Sequence, residues 1–331
     1  MGIKSFISVP FANAVAKNIK KWNTKPFQTQ EKVFNELLTT GRNTAFGKEH
    51  DFDSIKNYND FKARVPFCGY EDIKPYIERI KKGERDVLWK GRPIYLSKTS
   101  GTTSGIKYIP ITKESIPNHI NSARNALLQY IAETKKRGFV DGKMIFLSGS
   151  PALERVGGIP IGRLSGIVNH HVPGYLRTNQ LPTYKTNCIE DWERKVDAIV
   201  EETIHQNMTL ISGIPPWVQM YFDKIINKTG MPVGKVFPNF SLFVYGGVNY
   251  EPYRNKLESS IGRKVDSIEL YPASEGFIAY QDKQNETGLL LLLNSGIYFE
   301  FIKANEYFNE APRRINLEDV ELGVNYAIVC K

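Results

Sequence analysis

Apolar residues between positions 1 and 90 repeat at the spacing of amphipathic helices. One face comprises Val33, Phe34, Leu37 and Leu38, and a second comprises Ile73, Tyr76, Ile77 and Ile80. Both fit the 3.6-residue period of a helix that buries one side. Gly41 and Gly83 follow these faces and are expected to end the helices. The pattern therefore predicts a helical lead-in over residues 1–90.

From residue 91 onward, short apolar runs alternate with longer amphipathic stretches. The expected strands are 143–147, 209–212, 241–245 and 265–270, and the expected helices are 114–137, 189–206, 217–226 and 252–260. The runs 289–293 and 298–302 are expected to form a hairpin around Asn294–Gly296. Alternation of strands with helices predicts the α/β class, with mostly parallel sheets covered by helices.

Length and composition favour one large domain. The chain has 331 residues, of which 41% are hydrophobic, which is enough for a sizeable core. We predict a single domain over residues 1–331, with a helical lead-in over 1–90 and an α/β core over 91–331. The net charge of +9 comes in short pieces such as Lys135–Arg137, without a basic stripe interleaved with aromatics. A nucleic-acid partner is therefore not expected.

Cysteine and histidine usage points away from a zinc site. The three cysteines are widely separated, and the adjacent pair His170–His171 would point to opposite faces of a strand. Reduced thiols predict a cytoplasmic protein. No run reaches the roughly 18 apolar residues of a membrane span, and the first 22 residues lack a signal-peptide pattern. No membrane partner is expected.

The segment Ser97–Pro110 carries the clearest chemical signal. Six hydroxyl residues and two glycines lie within Ser97–Gly105, and Lys107 follows directly. Glycines let backbone N–H groups turn toward an anion, while hydroxyls and a lysine add donors and charge. The pattern indicates a polyphosphate cradle. A Ser/Gly-rich surface turn is the plain alternative.

This loop differs from a Walker A loop in its flanks. A Walker A lysine follows a glycine and opens a helix, whereas here Ile106 precedes Lys107 and Tyr108 follows it. The flanking residues 93–96 and 107–109 have the apolar character of short strands. We therefore expect the loop to join two strands.

Two ordered motifs resemble those of one enzyme family. The segment Ser100–Lys107, read Ser-Gly-Thr-Thr-Ser-Gly-Ile-Lys, resembles the phosphate signature of the acyl-adenylate-forming superfamily. The block Tyr271–Gly276, read Tyr-Pro-Ala-Ser-Glu-Gly, resembles a second motif of that superfamily. The spacing after Gly105 and the segment Arg64–Glu84 resemble the auxin-responsive acyl-acid amido synthetases of plants and their bacterial relatives. The resemblance runs from about Gly41 to the end of the chain.

The resemblance implies a fold, an activity and a set of site residues. The fold would be that of the large N-terminal domain of acyl-adenylate-forming enzymes. ATP and Mg²⁺ would activate a carboxylic acid, and an amine such as an amino acid would accept the acyl group. Lys107 and Glu275 would be catalytic, with Glu275 also holding the metal. The residues implied to bind the nucleotide are Ser100, Gly101, Thr102, Thr103, Gly105, Gly246, Gly247, Tyr271, Ala273 and Ser274.

The individual assignments have plain alternatives. Gly246 and Gly247 follow an expected strand and fit a simple turn, Tyr271 fits core packing, and Lys107 fits a surface lysine. For the acyl pocket, family analogy points to Arg124 and to the turn 214–217, where solvent exposure and core packing are the alternatives. A thioester ligase and a non-catalytic nucleotide-binding protein remain open as other functions.

The family pattern is incomplete at the carboxyl end. A third motif, Tyr-Arg-x-Gly-Asp in outline, is expected soon after Glu318–Val329, but the sequence ends at Lys331. We therefore expect the ribose-binding aspartate and the small carboxy-terminal domain to be missing. A truncated chain of this kind would have doubtful activity.

Overall fold

The computed structural model describes residues 2–100, 105–172 and 174–331, without the side chains of Ser100, Tyr175 and Leu176. The chain divides into two compact units. The first comprises the residues up to Asn18, His119–Glu154 and Gly162–Leu292. The second comprises Ile19–Asn118, Arg155–Ile161 and Leu293–Lys331.

Helices cover much of both units. The α-helices are α1 (Ile3–Asn23), α2 (Pro26–Gly41), α3 (Ala45–Glu49), α4 (Tyr58–Arg64), α5 (Tyr70–Lys81), α6 (Ile116–Thr134), α7 (Leu164–His170), α8 (Gly174–Arg177), α9 (Tyr184–Asn187), α10 (Trp192–Thr203), α11 (Pro215–Thr229), α12 (Val233–Val236) and α13 (Glu251–Ile261). Short 3-10 helices cover Phe52–Ser54, Gly138–Asp141 and Leu317–Asp319. Within the predicted helical lead-in 1–90, helices α1 to α5 end at Lys81, and no helix covers residues 82–90.

The strands form sheets of seven, four and three. They are β1 (Tyr95–Ser100), β2 (Ile106–Ile111), β3 (Lys143–Phe146), β4 (Glu154–Val156), β5 (Ile159–Gly162), β6 (Gln180–Leu181), β7 (Met208–Ser212), β8 (Leu242–Gly246), β9 (Asp266–Pro272), β10 (Phe277–Tyr280), β11 (Leu290–Leu291), β12 (Phe299–Lys303), β13 (Arg314–Ile315) and β14 (Tyr326–Cys330).

The seven-stranded sheet organises the first unit. Its order is β11-β10-β9-β8-β7-β3-β6, and neighbouring strands from β6 to β9 are parallel. Strand β10 is antiparallel to both of its neighbours, β9 and β11. The α/β class is confirmed, and the expected strands 143–147, 209–212, 241–245 and 265–270 are β3, β7, β8 and β9.

Helices α10, α11 and α13 pack in the core of this unit. Their fully buried side chains include Val196, Ile199, Val218, Phe222 and Leu257. Each large apolar side chain taken out of water contributes about 1.5–3 kcal/mol, so this cluster holds the sheet and its helices together. Local signals fix the helix ends. The Asp191 carboxylate accepts from the N–H of Arg194 at the start of α10, and Gly230 ends α11 with a φ of 69°.

The second unit contains the other two sheets. The four-stranded sheet has the order β2-β1-β5-β4, and β1 and β2 form an antiparallel pair. Helix α5 packs Ile77 and Ile80 against Leu96, Ile159 and Ile161. The three-stranded sheet, β13-β12-β14, is antiparallel. The mostly parallel character predicted from the sequence therefore holds for the largest sheet only.

The predicted hairpin over 289–302 is wrong. Leu290–Leu291 pairs with β10, whereas Phe299–Lys303 pairs with β13 and β14. The buried amide of Gln30 supplies the physical reason in the second unit. Its Nε2 donates to the carbonyls of Leu293 and Ile297, at 2.7 and 3.0 Å, and its Oε1 accepts from the N–H of Phe299 at 2.8 Å. Backbone groups that a hairpin ladder would use are therefore bonded to a side chain more than 260 positions away.

Candidate functional site

The carboxyl ends of β7, β8 and β9 meet at one edge of the seven-stranded sheet. Gly246 pairs with Leu270 in the parallel ladder between β8 and β9, and Tyr271 follows at once. The N–H of Gly213, just beyond β7, donates to the carbonyl of Val244 at 3.1 Å. Ligands of open parallel sheets bind outside such an edge. The structure thus brings the predicted residues 246–247 and 271–275 together.

The two glycines at the end of β8 are each favoured for a different local reason. A Cβ at Gly246 would overlap the carbonyl oxygen of Leu270, so the packing of β8 against β9 requires glycine at this position. Gly247 has a φ of 83°, a conformation that side chains disfavour, and a Cβ there would lie 3.2 Å from Ile214. The plain turn that the sequence left open accounts for the backbone here. These two glycines therefore do not by themselves indicate that a ligand binds here.

Tyr271 lies near the end of β9, and Glu275 lies in the turn that joins β9 to β10. Tyr271 is 44% exposed, which excludes the alternative of core packing. The N–H groups of Ala273 and Gly276 donate to each other's carbonyls, at 2.9 and 3.2 Å, and this reciprocal pair holds the turn. Glu275 is exposed at its tip, and among the described residues it forms no ion pair. The end of β9 and the turn after it therefore present one exposed aromatic ring and one carboxylate without an ion pair among the described residues.

The turn after β7 is apolar, as the sequence indicated. Pro215 opens α11 directly after Ile214. The Trp217 ring stacks on Trp192 of α10, with centroids 4.2 Å apart and planes inclined by 33°. Arg124, the other residue suggested for the acyl pocket, is exposed on α6 and donates to the Oδ1 of Asn125 at 3.0 and 3.2 Å.

The predicted phosphate loop lies in the second unit, between β1 and β2. Both flanks are strands, as expected, and their register runs from Tyr95 opposite Ile111 to Ser100 opposite Ile106. Gly101, Thr102 and Thr103 lie outside the described residues, as does the side chain of Ser100. Gly105 begins the described part after the loop, with a φ of 76°, and a Cβ there would meet nothing within 4 Å.

Lys107 lies on β2 directly after the loop. Its Nζ stands 5.4 Å from the centre of the Tyr70 ring, and it forms no ion pair with any carboxylate in the described part of the chain. The Tyr70 hydroxyl accepts from the N–H of Tyr108 at 2.8 Å. The ring therefore supports the ammonium group while leaving its charge uncompensated.

Sequence reasoning gave Tyr70 no role in the site. Its position at the first residue of α5 marks only the start of a helix, so no local signal distinguished it. Lys195 also lacked a local signal, because it lies within α10 at an ordinary helix position. Its buried ammonium donates to the carbonyls of Ser148 and Asn187, at 2.8 and 2.7 Å, and fixes the loop that follows β3. Burial lowers the pKa of Lys195 to about 8.

His119 of α6 is a second buried group without a sequence signal. It is 3% exposed, and neither ring nitrogen has a hydrogen-bond partner among the described residues. Burial lowers the pKa of His119 to about 4, so the ring is neutral near pH 7.

The fold is that of acyl-adenylate-forming enzymes. A solved structure of the GH3.15 acyl acid amido synthetase in complex with 2,4-DB superposes with a TM-score of 0.76, at 17% identity over 97% of this chain. A 2-hydroxyisobutyryl-CoA ligase in complex with 2-HIB-AMP and CoA matches with a TM-score of 0.53, at 12% identity over 82% of this chain. Identities this low establish the fold alone.

The sequence is similar to that of one family. Residues 15–178 match the GH3 family N-terminal domain. The indole-3-acetic acid-amido synthetase GH3.3 of Arabidopsis thaliana is 30% identical over 91% of this chain. The sequence is thus similar to the GH3 family, and the resemblance predicted from its motifs is confirmed.

The chain spans less than two thirds of the proteins that it matches. It covers 61% of Arabidopsis GH3.3, 65% of the GH3.15 chain and 59% of the CoA ligase chain. Among residues 2–100, 105–172 and 174–331, no helix combines the length and apolarity needed to cross a bilayer.

Proposed function

We propose that this chain activates a carboxylic acid with ATP and passes the acyl group to an amine. The observation that carries the proposal is the segment Tyr271–Glu275, which presents an exposed ring and a carboxylate without an ion pair among the described residues, at the carboxyl edge of the parallel strands. The named relatives are amido synthetases, which supports the same reaction class.

The reaction has two steps that balance without a redox partner. A carboxylate oxygen attacks the α-phosphorus of ATP, the bond from that phosphorus to the pyrophosphate oxygen breaks, and acyl-AMP and pyrophosphate result. The amine nitrogen then attacks the acyl carbon, AMP leaves with the electron pair of its oxygen, and the nitrogen loses a proton. The first step concentrates negative charge on phosphate oxygens, so positioned cations and donors supply most of the catalysis.

Glu275 fits the role of a Mg²⁺ ligand. Mg²⁺ in nucleotide enzymes is usually held by one or two carboxylates together with substrate phosphates. The Glu275 carboxylate is exposed and unpaired in the described part of the chain, so binding a cation would break no existing ion pair. The bound metal would neutralise charge on the phosphates.

Lys107 fits the role of a phosphate cation. Its ammonium rests against the Tyr70 ring and lacks a carboxylate partner among the described residues, so its full charge remains for an anion. The proposed partners in the loop are Ser100, Gly101, Thr102, Thr103 and Gly105. These residues would donate backbone N–H and hydroxyl groups to the β- and γ-phosphates.

The adenine and the α-phosphate would occupy the sheet edge in the first unit. Tyr271 offers an exposed ring on which a base can stack, and Gly246 and Gly247 leave the backbone beside it free of side chains. Ala273 and Ser274 would line the α-phosphate. The acid and the acceptor are not specified by these contacts.

One large domain over residues 1–331 and a cytoplasmic location remain predictions.

A thioester ligase is the second candidate. The fold likeness to a CoA ligase supports it, although the likeness to an amido synthetase is greater, with TM-scores of 0.53 and 0.76. The acceptor distinguishes the two. Release of AMP driven by an amino acid favours amide synthesis, and release driven by coenzyme A favours the ligase.

ATP with Mg²⁺ should raise the melting temperature of the chain. Binding to the folded state alone stabilises by mass action, by about 1.4 kcal/mol at tenfold excess over Kd. For a chain of this size, that corresponds to about 2 °C. Thermal unfolding is followed with ATP·Mg²⁺, with ATP plus chelator, and with sulfate at equal ionic strength. A shift that grows with ATP concentration and needs Mg²⁺ supports the proposal. Equal curves in all three conditions contradict it.

A further inference from the structure

Helix α1 exposes a row of large apolar side chains to solvent. The exposed fractions are 79% for Ile3, 77% for Phe6, 51% for Ile7 and 60% for Phe11. These residues recur at helical spacing on one side of the first three turns. Isolated exposed apolar residues are ordinary, but four large ones grouped on one helix face mark an interaction surface.

The opposite face of the same helix is already buried. Ser5 and Ala12 are 0% and 1% exposed. The N–H groups of Gly2 and Ser5 donate to the Asp141 carboxylate, at 2.6 and 3.1 Å, and the Ser5 hydroxyl also donates to it. The helix is therefore anchored through one side while its other apolar side faces outward. Core packing accounts for the first side only.

The charge on this segment has one sign. Residues 2–25 contain five lysines and no acidic residue: Lys4, Lys17, Lys20, Lys21 and Lys25. All five are exposed, and none pairs with a carboxylate in the part of the chain that the structure describes. Lys17 and Lys21 continue the line of Ile3 and Ile7 along the helix, at i+14 and i+18 from Ile3. The surface is apolar at one end and cationic at the other.

We propose that α1 binds the surface of anionic membranes. An amphipathic helix with aromatic and aliphatic residues on one face and lysines nearby lies in the plane of the interface, with its apolar face below the headgroups. Anionic headgroups would pair with the lysines. A second copy of the chain is a poorer occupant, because its α1 brings the same lysines and no carboxylate to compensate them. This use of α1 differs from the sequence expectation of no membrane partner, which considered only spanning segments and signal peptides.

Vesicle co-sedimentation of the full chain tests this proposal. We expect binding to mixed phosphatidylcholine–phosphatidylserine vesicles, little binding to phosphatidylcholine alone, and weakening in roughly 0.5 M salt. Phe6→Ser should lower the apparent partition coefficient by about tenfold. The matched control is Phe308→Ser, which removes a ring from the second unit that is more exposed than Phe6, 93% against 77%, and should change nothing.

A charge-reversal pair tests the second half of the surface. The double variant Lys17→Glu, Lys21→Glu should lower vesicle binding by about tenfold or more. The control Lys48→Glu, Lys56→Glu makes an equal change in net charge at exposed positions and should keep most of the binding. Circular dichroism checks that each variant is folded. Equal binding by Phe6→Ser and Phe308→Ser would overturn the proposal. So would a concentration-dependent dimer that Phe6→Ser abolishes in the absence of vesicle binding, since α1 would then face a second copy.

Discussion

Replacing Glu300 with alanine should lower the free energy of unfolding by about 3–5 kcal/mol, the largest stability effect that we expect from a single substitution in this chain. The Glu300 side chain is 0% exposed and accepts from Arg314 Nη1 at 3.1 Å and from the Tyr58 hydroxyl at 3.0 Å. Arg314, 6% exposed, also donates to the carbonyls of Lys62 and Val65, at 2.9 and 2.7 Å. Removing the carboxylate would leave a buried guanidinium without its counter-charge.

Two comparisons separate this effect from a general loss of charge. Glu300→Gln keeps the shape and an acceptor oxygen but leaves Arg314 uncompensated, so it should also destabilise, though less than alanine. Glu321→Ala removes an exposed carboxylate 3.4 Å from Lys303 and should cost less than about 1 kcal/mol. Denaturant unfolding gives the three values. A loss below about 1 kcal/mol for Glu300→Ala would show that the buried pair contributes little to the fold.

Lys107→Met and Glu275→Gln should each lower the rate of acyl-adenylate formation by about 10²–10³-fold, the largest effects expected on activity. Each substitution removes a charge and nearly preserves the size of the side chain. The methionine of the first variant would still pack against the Tyr70 ring, and the glutamine of the second would remain at the exposed tip of its turn. Stability should therefore change by less than about 0.5 kcal/mol, as for other surface positions.

Lys113→Met and Glu310→Gln are the matched controls for this pair. Both positions are exposed, and neither forms an ion pair in the described part of the chain. They repeat the same chemical changes outside the proposed site and should keep the wild-type rate. Unfolding of either site variant would show a structural role for that residue. Wild-type rates from both site variants would remove Lys107 and Glu275 from the reaction.

The sequence predicted the elements whose signals are local. Strands β3, β7, β8 and β9 are short apolar runs that lie between helices. Their pattern differs from the 3.6-residue period of the helices, so strands and helices can be told apart from the sequence alone. The proposed site residues were also expected at strand ends. Ser100 is the last residue of β1, Gly246 is the last residue of β8, and Tyr271 is the last but one of β9. In each case, neighbouring residues carry the information.

The features that the sequence did not predict depend on distant partners. Gln30 binds the backbone around Leu293–Phe299 and prevents the expected hairpin. Tyr70 supports Lys107 across two elements of the second unit. Lys195 looks like an ordinary helix-surface residue until Ser148 and Asn187 provide its partners. No local period or motif encodes such pairs, because each requires the folded arrangement to exist first.

Acid-dependent exchange of radiolabelled pyrophosphate into ATP tests the proposed activity most directly. The 331-residue chain is incubated with ATP, Mg²⁺ and one of several acids: indole-3-acetate, benzoate or a medium-chain fatty acid. Exchange measures reversible formation of acyl-AMP without requiring an acceptor. We predict exchange that needs an acid and Mg²⁺ and falls sharply in Lys107→Met and Glu275→Gln. Absence of exchange with every acid, in a folded sample whose melting temperature ATP·Mg²⁺ raises, would contradict adenylation and leave a nucleotide-binding protein.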